Sequence, residues 1–110
     1  MMKLAMSPAA AGLLRALLGR AGVDRNRIML SEFRSTDWRS LTFTGERHRI
    51  DLRIPGPRAD RIAEALTVNL ADAEFMIPGH ILADIAVEGA MIEHPDGAIS
   101  LRIEALTVEE

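Results

Sequence analysis

The chain has 110 residues, 48% apolar and 26% charged, with no cysteine and a formal net charge of −3. That size and composition suit one globular domain and exclude a disordered chain, while the missing cysteines exclude disulfides, thiolate nucleophiles and sulfur-ligated zinc. The charge is sorted by position: residues 1–61 hold Lys3 and eleven arginines against six acids, whereas residues 62–110 hold Arg102 against ten acids.

The start, Met1 to Met6, resembles a signal peptide, but Arg15 interrupts the apolar stretch and Ser7-Pro8 reads as a helix N-cap followed by proline at the first helical position. No apolar run reaches the roughly 18–20 residues needed to span a bilayer, so a cytoplasmic chain without membrane contact is expected. From Pro8, Ala10, Leu13, Leu14, Leu17, Leu18 and Ala21 recur at spacings of three and four, which predicts an amphipathic helix closed near Gly22. Arg15 and Arg20 fall on its polar face.

Ile28-Met29-Leu30 opens a strand towards Trp38. Residues 41–54 predict a second strand in two phases: Leu41 and Phe43 are apolar at odd positions, and Ile50, Leu52 and Ile54 at even ones. A period of two cannot change phase without an extra residue, so a turn or bulge is expected at Gly45. Pro57 is expected to open a second helix bearing Ala59, Ile62, Ala63, Leu66 and Leu70. The last third reads as a hairpin, with strands over 80–93 and 98–108 around His94-Pro95-Asp96-Gly97. The pentapeptide Glu-Ala-Leu-Thr-Val occurs at 64–68 and 104–108, once in a predicted helix and once in a predicted strand, which argues against a duplicated unit.

The order α-β-β-α-β-β predicts a single α+β domain, 1–110, with a four-stranded, mainly antiparallel sheet and two helices on one face. In the third strand, alternation sends Ile81, Ala83, Ile85 and Val87 to the core. Leu82, Ala86, Ala90 and Ile92 then share the outer face with Leu106 and Val108 of the fourth, and form a candidate homodimer interface. The sorted charges are expected to meet within one sheet or between subunits.

The histidines are the side chains that titrate near neutrality. His48 with Glu46, then His80, and Trp38 are the candidate ligand-binding residues; Trp38 is expected to fold back onto the helices, and is an exposed anchor if it does not. His80 and Asp84 share a face of a regular strand but stand about 13 Å apart at ~3.3 Å per residue, too far to chelate one ion. No metal or cofactor is expected, and His94 in the turn reads as a solvated imidazole. Ser31, Ser35, Ser40 and Ser100 lie in no G-x-S-x-G elbow, and Pro55-Gly56-Pro57 puts prolines where a phosphate loop needs amides. The basic stretch Arg47, Arg49, Arg53, Arg58 and Arg61 is better matched to the acidic half than to nucleic acid, given a pI near 5.6 and one tryptophan without tyrosine.

In size and charge the chain resembles bacterial secretion chaperones, which are small acidic α+β dimers. The functional expectation is a non-catalytic homodimeric protein-binding or adaptor module. The alternative is a small-molecule-binding protein or small enzyme with a pocket near His48 and His80.

Overall fold

The computed structural model describes residues 6–110, so the first five residues of the signal-like start lie outside the described residues. The order is α1 (Pro8–Gly19), β1 (Met29–Arg39), β2 (Thr44–Ile54), α2 (Ala59–Thr67), β3 (His80–Glu93) and β4 (Ile99–Glu109), with short 3₁₀ turns at Arg25–Arg27 and Leu70–Asp72. The α-β-β-α-β-β order forms one α+β fold. Its four strands are antiparallel in the order β1-β2-β4-β3. No helix among the described residues is long and apolar enough to cross a membrane.

Local chemistry sets the ends of the helices. Ser7 Oγ accepts the Ala10 amide at 3.1 Å and Pro8 occupies the first turn of α1. The second helix starts at Ala59 rather than Pro57, because Arg58 sits in the left-handed region at φ 67°. Asn69 at φ 51° separates it from the 3₁₀ turn that delivers Leu70 to the core. Arg20 is not simply solvated: its Nε donates to the Leu66 carbonyl at 3.2 Å and its guanidinium also bonds the Val68 carbonyl, satisfying groups at the end of α2.

Strand alternation builds the core. His48, Ile50, Leu52 and Ile54 of β2, with Ile99, Leu101, Ile103, Ala105 and Thr107 of β4, are all buried, while the residues between them carry charge or partial exposure. The apolar members join Leu13, Leu14, Leu17 and Leu18 of α1 and Ile62, Ala63 and Leu66 of α2 in one cluster. Each such large side chain contributes about 1.5–3 kcal/mol on full burial.

The phase changes are placed differently from expectation. Gly45 lies in an unbroken ladder, opposite Trp38 on one side and Val108 on the other. Leu41 and Phe43 belong to the turn between β1 and β2, closed by the Ser40 amide on the Phe43 carbonyl at 2.9 Å, and Leu41 is fully solvated. The irregularities fall at Ser31, at Ala83 and between Glu88 and Ile92, where Gly89 takes φ 71°.

The Ala83 bulge corrects the face assignments in β3. Leu82 pairs with Thr107 and packs against the core, while Ile81 pairs with Val108 on the outer face and is 51% exposed. Alternation alone gives the reverse, because it carries one phase through the extra residue. The same bulge puts His80 and Asp84 on opposite faces.

Among the described residues one ion pair, Arg53 with Asp96 of the β3–β4 turn, joins a base of the first half to an acid of the second, and the pair on the β2–β4 seam is the reverse combination. Arg102 donates to both oxygens of Asp51, at 2.6 and 3.2 Å, and Arg53 pairs with Asp96 at 2.8 Å. Such exposed pairs add at most about 1 kcal/mol each and chiefly select neighbours and register.

Candidate functional site

His48 belongs to the interior of the sheet. It is 2% exposed, with Nδ1 at 2.7 Å from Ser35 Oγ of β1 and Nε2 at 2.8 Å from Thr107 Oγ1 of β4. The Phe33 ring meets the imidazole edge-on, centroids 5.8 Å apart. A neutral imidazole has one donor and one acceptor nitrogen, and a hydroxyl serves either, so the two flanking side chains satisfy the ring completely. Burial pushes its pKa below the ordinary 6.5; Glu46 opposes that shift and His80 adds to it. The arrangement holds a neutral ring in place.

Trp38, Glu46 and His80 line one cleft. It measures about 280 Å³, is shared with Asp37, Arg39 and Glu109, and lies at the end of the sheet, beside the first turn of α1. Thr107, the partner of His48, lies in the wall of the cleft but is itself buried. Glu46 accepts the Ser7 hydroxyl at 2.7 Å. His80 Nδ1 lies 2.9 Å from the Pro78 carbonyl, an acceptor only, so Nδ1 donates there. Trp38 is half-buried and stands on the outer face beside Gly45, rather than folded onto the helices. Among the described residues, no group of three His, Asp or Glu side chains is placed to hold a metal ion.

A larger groove of about 650 Å³ runs beside β1, lined by Met6, Ala10, Leu30, Phe33 and Ser35, with Ser7 and Glu46 shared with the cleft. His94 is half-buried with Nε2 at 2.7 Å from Ser100 Oγ, so it is a tied turn residue rather than a solvated one.

The candidate interface residues divide. Leu82 faces the core. Leu106 and Val108 stand together on the outer face, with Ala86 further along it. Ala90 and Ile92 line a separate hollow of about 380 Å³ around the Asp51–Arg102 pair.

Ser35 and Thr107 are the site residues that sequence reasoning missed. Their partnership with His48 spans 13 and 59 positions and depends on strand order, which no local pattern reveals.

No protein-family model matches the chain, and no curated protein matches it in sequence.

Proposed function

We propose that the chain is a non-catalytic, homodimeric protein-binding or adaptor module of the cytoplasm, and that the outer face of its sheet is the association surface. The layout of that face carries the reading. One end bears Trp38 and Ile81, beside a Val108 already buried within the chain, and the other bears Met29 and Ile92. Met29 and Ile92 are 53% and 58% exposed, unlike the alternate residues that fill the core. Between the ends lie charges of both signs, arginines prevailing on β1 and β2 and acids on β4 and β3. Apolar patches around a polar centre suit a moderate, wet interface better than a solvent face.

His48 supports the non-catalytic part. Both of its nitrogens are engaged within the sheet, which suits a structural imidazole better than an acid–base group. Light scattering on the intact chain tests the reading. A mass of twice 12.1 kDa supports it, and the single-chain mass at several hundred micromolar overturns it.

A ligand-binding reading is favoured by one observation, the convergence of Trp38, Glu46 and His80 on one cleft. Trp38 is the sole tryptophan and there is no tyrosine, so its fluorescence reports occupancy directly. A saturable change on titration with a small-molecule library would place a ligand there, and an unresponsive spectrum would remove this reading.

A further inference from the structure

We infer that a second copy of this chain docks face to face on the outer side of the sheet, about a twofold axis parallel to the strands between β2 and β4. This rests on the homodimer reading and adds its geometry. The ladders place the outer residues in five rows across β1, β2, β4 and β3. They run Trp38-Gly45-Val108-Ile81, Thr36-Arg47-Leu106-Asp84, Arg34-Arg49-Glu104-Ala86, Glu32-Asp51-Arg102-Glu88 and Met29-Arg53-Ser100-Ile92.

Two twofold axes can lie in the plane of such an interface, and charge decides between them. An axis across the strands lays the third row on its own copy, so Arg34, Arg49 and Glu104 each meet themselves. Like charges juxtaposed at an interface cost several kcal/mol. An axis along the strands keeps each row on its own copy but reverses it. Arg49 then faces the partner subunit's Glu104, and Asp51 faces the partner subunit's Arg102, each contact occurring twice. Glu32 against the partner subunit's Glu88 is the one like-charge meeting, at the rim, where solvent screens it.

The apolar rows agree with the second axis. Trp38 is laid against the partner subunit's Ile81, and Met29 against the partner subunit's Ile92. Glu104 makes no ion pair among the described residues, and Arg49 reaches only Glu32, at 3.9 Å, so both have charge to spend across an interface.

Mixing two single variants tests the pairing. Arg49→Glu alone sets glutamate against the partner's Glu104, and Glu104→Arg alone sets arginine against the partner's Arg49. Each variant should dimerise at least about tenfold more weakly than the parent chain. Mixed in equal amounts, they restore both contacts and should form a heterodimer near parental affinity by sedimentation equilibrium. Mixing cannot repair a fold damaged within one chain, and circular dichroism of each variant confirms the fold. If the parent chain is monomeric, the homodimer reading falls with the inference. If the parent is dimeric but the variants dimerise normally, or their mixture stays weak, the twofold pairing alone is overturned.

Discussion

Ser35 Oγ lies 2.7 Å from His48 Nδ1 across the β1–β2 ladder. With Thr107 on the other nitrogen, it encloses an imidazole that burial holds below its ordinary pKa of 6.5. The unfolded chain takes up a proton near that ordinary value, whereas the folded chain resists until lower pH. The stability contributed by neutral His48 is therefore complete above pH 6.5 and lost as pH falls through the folded pKa. Urea midpoints should fall as pH drops below 6.5, and the drop should shrink in His48→Gln. Identical pH profiles for the two chains would refute this.

Thr107 is fully buried, so Thr107→Val keeps the shape and leaves His48 Nε2 without a partner. The expected loss is about 1–3 kcal/mol, the cost of an unsatisfied buried polar group. Ser35 lies on a half-buried edge strand that water can reach, so Ser35→Ala should cost less. Urea unfolding at pH 7.5 orders the two, and equal losses would contradict the difference in solvent access.

The hairpin and the first helix were legible because their signals are local: Asp96-Gly97 between apolar runs, and leucines three and four apart. Ala83 gives no such signal. It is an ordinary strand residue at which β3 gains one position on β4, and the inward and outward sets change over there. The same limit hid the environment of His48, since β2 lies beside β4 rather than β3 only through packing of the whole chain. Glu46, His80 and Trp38 were singled out one by one, and what joins them is that all three stand near strand ends that gather at one end of the sheet.

The bulge makes a directional prediction about adjacent residues. Leu82→Asp places a carboxylate against the core and should lower stability by at least about 2 kcal/mol. Ile81→Asp changes an outward side chain and should leave folding of the single chain within about 0.5 kcal/mol, while weakening the proposed dimer. The reverse order in thermal melts at low protein concentration would mean that β3 runs in phase through Ala83.

Gly45 is constrained by its neighbour rather than by its own conformation. A Cβ there would run into the Thr107 carbonyl and stand 3.0 Å from Val108 Cα, so β2 and β4 must part to admit it. Gly45→Ala should destabilise the chain by about 1–3 kcal/mol, the usual range for overpacking, and should disturb Thr107 and with it His48. Hydrogen exchange provides the check: amides of Glu46 and Thr107 should lose protection while those around Ile54 and Ile99, at the far end of the same ladder, keep theirs.

Salt separates the two contributions to the proposed association. Screening reaches in to about 10 Å at 0.1 M and about 3 Å at 1 M, so contacts such as Arg49 with the partner subunit's Glu104 weaken steeply over that range while the apolar end rows do not. The dimer dissociation constant should therefore rise between 0.1 and 1 M sodium chloride and then level off, the plateau reflecting Trp38, Ile81, Met29 and Ile92. The Arg49→Glu and Glu104→Arg variants, repelled at low salt, should instead associate more tightly as salt rises. Parallel salt slopes for parent and variants would mean that the charges screened are not those facing each other across the interface.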